Sequence, residues 1–178
     1  MKKSFILSAL LLSFINSNAQ DNKLENNQFK INILSPGLTY EKRTGNLTSL
    51  AINLNLSAGF AYDSDSGITL LLSPYIREEL RYYYNFEKRN AKNKSTRNNS
   101  ANFIALTGSY YFKPISNSEY VSLYDGVTIA PVWGLQRTYR SGINFNIIGG
   151  AGYNFGTNDR TANFVPVINF TLGWVIGK

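Results

Sequence analysis

Three residues at alternate positions carry the most concentrated chemistry in this chain: Arg77, Glu79 and Arg81. On a β-strand, residues i, i+2 and i+4 share one face at intervals of about 7 Å. Two cations flanking a carboxylate make a charge ladder, and a ladder that faces an interior has to be paired. The expectation is that Glu79, with Glu41 reaching across from another strand, neutralises Arg77 and Arg81. The bland alternative places the ladder outside any interior, where it is simply solvated. A second cluster, Lys88, Arg89, Lys92, Lys94 and Arg97, lies in the polar stretch 87–102, whose one acid is Glu87. A basic loop of this kind can hold phosphate-bearing headgroups or another protein, or can merely be solvated.

The means of catalysis are scarce. The chain has no His and no Cys. That removes the commonest general base, the thiolate nucleophile, Cys-ligated metals and every hydrolase mechanism that turns on His. Glu78 and Glu79 adjoin, so on a strand they point to opposite faces and cannot share a substrate. Glu41 with Glu79 is a geometrically open pair with nothing further to support it. The stretch Asp63-Ser64-Asp65-Ser66-Gly67 resembles part of a calcium loop but lacks the distal bidentate Glu. Gly149-Gly150-Ala151-Gly152 falls inside a strand pattern, where glycines give room to large neighbours or allow a bend, and is not a nucleotide motif. The chain therefore reads as non-enzymatic, with no catalytic residue, metal or cofactor.

The elements that position these side chains are strands. In Ile143–Phe155 and Phe164–Ile176 bulky apolar residues alternate with Asn, Gly and Thr, and a period of 2 means strand. The segment Leu50–Tyr62 alternates most cleanly, with Asn53, Asn55 and Ser57 on its polar face. Polar and small inside with greasy and aromatic outside is the pattern of a membrane barrel. Further strands fall at Ile68–Phe86, Phe103–Phe112 and Val127–Gln136. The first is read as one strand from Phe29 to Lys42, with a bulge at Ser35-Pro36-Gly37 where the apolar face changes parity. Tyr82-Tyr83-Tyr84 has the look of an interfacial girdle. The fold class is all-β: an antiparallel up-and-down transmembrane β-barrel of eight strands. The strand not plainly visible is placed within Ile68–Phe86 or Lys113–Leu135.

The N-terminus reads as an export signal. Lys2 and Lys3 precede the apolar run Phe5–Ile15, and Ser17-Asn18-Ala19 offers a cleavage site after Ala19. Without those two lysines the net charge falls from +7 to +5. The division is 1–19 signal peptide, 20–28 periplasmic leader and 29–178 barrel, located in the cell outer membrane.

The strand SPGLTYEKR, the block ELRYYYNFEKR with NNSANF after it, and APVWGLQRTY resemble small outer-membrane β-barrel proteins of the kind common in Bacteroidota. No activity is attached to that group, so the resemblance implies barrel and location and carries over no catalytic residue. The expected partners are outer-membrane lipid and either lipopolysaccharide phosphates or another envelope protein, not nucleic acid. A structural envelope role with a filled lumen is the first expectation. The alternatives are a narrow pore or lipid-handling barrel, lined by Asn53, Asn55, Asn144, Asn146 and Asn169, or an assembly partner working through 88–97. Weaker still is a soluble barrel with the faces reversed.

Overall fold

A computed structural model describes residues 23–63, 67–112, 115, 126–155 and 164–177. Eight antiparallel strands close into one up-and-down barrel. They are β1 (Asn27–Leu34), β2 (Gly37–Arg43), β3 (Thr48–Asp63), β4 (Gly67–Tyr82), β5 (Asn102–Tyr111), β6 (Gly126–Thr138), β7 (Ile143–Phe155) and β8 (Phe164–Gly177). Each pairs with its sequence neighbour, and β1 meets β8 to close the ring.

The eighth strand comes from the first segment, not from Ile68–Phe86 or Lys113–Leu135. Phe29–Lys42 is a hairpin, β1 and β2, in which Asn32 opposes Gly37 and Ile31 opposes Leu38. Ser35 and Pro36 make the turn between the two strands, with Ser35 at φ 56°, and four residues, 33 to 36, lie between the last paired positions Asn32 and Gly37. A loop with an even number of residues changes the parity of the inward face just as a one-residue bulge does. Pro36 brings no N–H to a ladder, which suits a turn. The third segment is a single crossing, β4, in unbroken register with β3 from Thr48↔Tyr82 to Asp63↔Gly67.

Burial follows the alternation with the polar side inward. Ile31, Leu38, Leu54, Leu80, Ile104, Leu106, Ile129, Ile168 and Leu172 are exposed on the outer wall. Toward one rim this band carries Tyr82, Tyr84, Trp133 and Trp174, and toward the other Tyr110, Phe112, Tyr153 and Phe155. The largest fully buried side chains are led by Arg81, Tyr75, Tyr83 and Phe103. The middle residue of the Tyr82–Tyr84 run thus points into the lumen, and of the three tyrosines expected to face outward only Tyr82 and Tyr84 do.

Along β5 to β8 the lumen also holds an apolar strip of Phe103, Ala105, Ala130, Val132, Ile148 and Val167. Phe103 lies directly opposite Gly134. A Cβ there would sit 2.2 Å from the ring, so only glycine admits it. Among the other glycines, a Cβ on Gly150 or Gly152 would strike the β6 backbone at 2.3 Å, while Gly149 has open space. The glycine run therefore allows β6 and β7 to approach closely.

Candidate functional site in the lumen

The chain ends of β1 and β8 lie at the same rim as the segment between β4 and β5, and that segment closes this end. Residues 87–102 were expected to be a polar loop without a helix, after a strand reaching Phe86; β4 ends at Tyr82 instead, and residues 83–101 form the connection. They hold instead a short helix, α1 (Phe86–Ala91), and a 3-10 turn at Arg97–Asn99. Asn98 and Asn99 take left-handed conformations, φ 48° and 58°, which asparagine tolerates better than most residues. This tucks Asn98, Asn99, Ser100 and Ala101 into the barrel mouth, all buried. Asn98 O accepts from Gln136 Nε2 at 3.1 Å and Asn99 O from the same nitrogen at 3.3 Å. Ser100 Oγ accepts from the Thr138 backbone N–H at 2.7 Å.

Leu24 and Glu25, in the stretch expected to be a leader, join this plug. Leu24 is buried in the cluster with Tyr83 and Phe86, and its carbonyl accepts from Arg43 Nη1 at 3.0 Å. Glu25 N–H donates to Asn99 Oδ1 at 2.8 Å. The proposed signal residues 1–19 lie outside the described residues.

Beneath the plug, Glu41 is the hub. Its Oε2 accepts from Lys30 Nζ at 2.8 Å, Arg81 Nη1 at 3.3 Å and Gln136 Nε2 at 3.4 Å. Its Oε1 accepts from the Tyr83 hydroxyl at 2.6 Å, Ser49 Oγ at 2.8 Å and Asn99 Nδ2 at 2.9 Å. Gln136 Oε1 closes the circuit, accepting from Lys30 Nζ at 2.8 Å and Arg81 Nη1 at 3.0 Å. One carboxylate thereby ties β1, β2, β3, β4, β6 and the plug. Glu79 Oε2 takes Arg81 Nε at 2.9 Å and Nη2 at 2.8 Å, and its Oε1 takes Asn53 Nδ2 at 3.0 Å. The Arg81 guanidinium also lies over the Phe103 ring, 4.6 Å from its centroid. Buried charges persist only when their remaining lone pairs and protons are matched in this way.

The expected ladder is thus brought together at Glu41, Glu79 and Arg81, inside the lumen and not solvated. Arg77 departs from the expectation: among the described residues it forms no ion pair. Its Nε donates to Ser109 Oγ at 3.0 Å, one Nη donates to the Tyr111 hydroxyl at 3.3 Å, and its guanidinium lies 5.0 Å from the Tyr75 ring centroid.

Sequence reasoning missed Lys30, Tyr83 and Asn99 as members of the site. The alternation puts Lys30 beside Asn32 opposite Ile31, so its inward face was there to be read, as was that of Tyr83. The role of Asn99 depends on the fold of the loop and has no periodic signal. Of the five lumen asparagines, Asn53 and Asn144 donate to other side chains, and Asn55 and Asn169 both reach the Tyr75 hydroxyl. Asn146 leaves a buried Oδ1 without a partner among the described residues.

Of the basic loop, Lys88, Lys92, Lys94 and Arg97 are exposed. Arg89 is partly buried, which lowers its pKa from the ordinary value by desolvation, and it donates to Ser95 O at 2.8 Å. These cations sit on the outer side of the plug, well separated from the Glu41 hub by the buried turn 98–101. Among the described residues no group of His, Cys, Asp and Glu could hold a metal. No family model, no curated protein and no solved structure matches the chain.

Proposed function

We propose that this chain is an exported outer-membrane β-barrel whose role is structural, sealed at one end and without catalysis. The observation that carries the reading is the inversion of inside and outside. A broad apolar wall faces outward, while Lys30, Glu41, Glu79 and Arg81 are buried and mutually paired. Soluble monomers rarely expose contiguous apolar patches beyond a few hundred Å², whereas a lipid-facing barrel requires such a wall and tolerates a polar lumen. β3 and β4 have 16 residues each and β6 to β8 have 13 or 14, against the 9–11 or so that a tilted crossing needs. The aromatic rims fit the two interfaces.

An even number of strands puts both ends of the barrel on one side. With those ends in the periplasm, the plug and its exposed lysines face the periplasm too. The basic face would then meet a periplasmic envelope component and not lipopolysaccharide phosphates on the far leaflet. A sealed lumen argues against a pore, because Glu41, Arg81, Lys30 and Gln136 meet across it beneath the plug.

The test is fractionation followed by electrophoresis in SDS with and without boiling. A heat-dependent shift in the outer-membrane fraction, with no steady conductance in planar bilayers, is the expected result. A soluble periplasmic protein showing no shift would overturn the location, and stable conductance would overturn the sealed lumen.

A further inference from the structure

The barrel is not equally tall all round. β1 and β2 end at Leu34 and Gly37, while β3 runs on to Asp63 and β8 begins at Phe164. The β2–β3 pairing stops at Gly37↔Asn55, followed by one bond from Leu56 N–H to Pro36 O. The β1–β8 pairing stops at Leu34↔Leu172. Above the hairpin, residues 57–63 of β3 and 164–171 of β8 have no strand partner on these edges among the described residues. Three strand spacings separate the two edges, about 14 Å. Among the described residues the wall therefore has a notch on the rim opposite the plug. Phe164 and Ile168 flank it outside, 72% and 78% exposed, and Val165 and Val167 line β8 inside.

Just within the notch stands Tyr75. Its hydroxyl shares a hydrogen bond with Ser35 Oγ at 3.2 Å and accepts from Asn55 Nδ2 at 3.3 Å and Asn169 Nδ2 at 3.1 Å. It thus touches the hairpin turn and both margins of the notch, and its ring covers Arg77. Among the described residues the lumen's charge does not balance here. Lys30, Arg77 and Arg81 are buried against Glu41 and Glu79, and both carboxylates are spent on Lys30 and Arg81. Arg77 has neutral acceptors for two of its five N–H donors and makes no further side-chain hydrogen bond among the described residues. Arg77 feels Glu79 only at longer range and has no ion pair of its own among the described residues, and a buried cation so placed calls for an anion.

We propose that the notch admits a long-chain carboxylate amphiphile, with its head on Arg77 and its tail leaving between β8 and β3 along Val165 and Val167. The guanidinium offers the planar fork that a carboxylate accepts, and the hydroxyl of Tyr75 must leave at least one of its three partners to let the head pass. The inference rests on the chain lying in a membrane, where such amphiphiles are dissolved.

The experiment uses the full mature protein in nanodiscs of zwitterionic lipid, with a diazirine-bearing long-chain fatty acid as probe. Its methyl ester serves as the uncharged counterpart, and cross-links are mapped by mass spectrometry. In the wild type and in Arg77→Lys, cross-links concentrate on the β3 and β8 margins. In Arg77→Met, and with the ester, they fall by about tenfold or more. Equal labelling by acid and ester, equal labelling of the Met variant, or cross-links scattered over the outer wall would each overturn the proposal. The acid–ester comparison needs only the wild type, so a Met variant that fails to fold leaves the result decisive. A wild-type protein that shows no heat-dependent shift and does not enter nanodiscs would refute the membrane reading instead, which separates the two failures.

Discussion

Replacing Glu41 by Gln is the most direct test of the lumen network. The volume is unchanged, so the effect is electrostatic. The carboxylate oxygens accept from six donors, two of them the cations Lys30 and Arg81. The amide has one accepting oxygen and one NH₂ group. If the oxygen takes the Tyr83, Ser49 and Asn99 side, the NH₂ faces Lys30 and Arg81, donor against donor. If the amide is flipped, the NH₂ faces the other three donors. Either way Lys30 loses its carboxylate, and removing one partner of a buried pair costs about 3–5 kcal/mol. With a urea slope of about 2 kcal/mol/M, the unfolding midpoint should fall by roughly 1.5–2.5 M. Reversible unfolding in lipid vesicles, followed by the fluorescence of Trp133 and Trp174 on the outer wall, reads this directly. Raising the salt should leave the loss intact, because a buried pair is poorly screened. In the double variant Lys30→Met, Glu41→Gln, part of the loss should return, since no unpaired ammonium then remains and Arg81 keeps Glu79. A single variant within about 0.5 kcal/mol of wild type, as for an ordinary surface change, would refute the network's role.

Glu79→Gln should cost less, about 2 kcal/mol, because Arg81 keeps Glu41 and the amide oxygen still accepts; a loss equal to that of Glu41→Gln in the same assay would show the hub misplaced. Gly134→Val should destabilise by about 1–3 kcal/mol through overpacking, since Phe103 is held between Tyr83 and the Arg81 guanidinium and cannot easily move. That variant should also alter the near-ultraviolet circular dichroism, and an unchanged spectrum and midpoint would count against the packing. Trypsin acting on the folded, purified barrel should cut first within 88–97, where Lys88, Lys92, Lys94 and Arg97 are exposed, and should spare Lys30, Arg77 and Arg81 until the barrel unfolds. Early cleavage at any of those three would contradict their burial.

The barrel itself was legible because alternation states which residues go inward before anything is known of their partners. Leu50–Tyr62 and the last two strands announce themselves in that way. The number of strands is the expected eight; the eighth was misplaced for a definite reason: parity cannot distinguish a bulge from a hairpin whose loop has an even number of residues. Ser35-Pro36-Gly37 satisfied both readings, and only the pairing of Asn32 with Gly37 decides between them. Of the charge ladder, the face and the Glu41 partnership were readable, because each follows from parity on a strand. That Lys30 and not Arg77 shares Glu41 was not readable, because it depends on the stagger between β1, β2 and β4. The plug was least legible of all. Its buried turn is built of Asn98, Asn99 and Ser100, residues whose composition suggests a solvated loop, and its burial comes from left-handed backbone that carries no periodic signature.

The hub at Glu41 bears on how the barrel can come into being. Its donors come from strands far apart in the chain, Lys30 on β1 and Gln136 on β6, and from the loop between β4 and β5. No sheet of three or four strands can assemble it. In lipid, an open sheet would show Lys30, Arg77 and Arg81 to hydrocarbon, at about 2–4 kcal/mol for each near the midplane. Partly inserted forms are therefore penalised by the same residues that stabilise the finished ring. On the proposed membrane reading the network acts as a cooperativity device: insertion and closure become one event, and the barrel enters the bilayer whole or not at all.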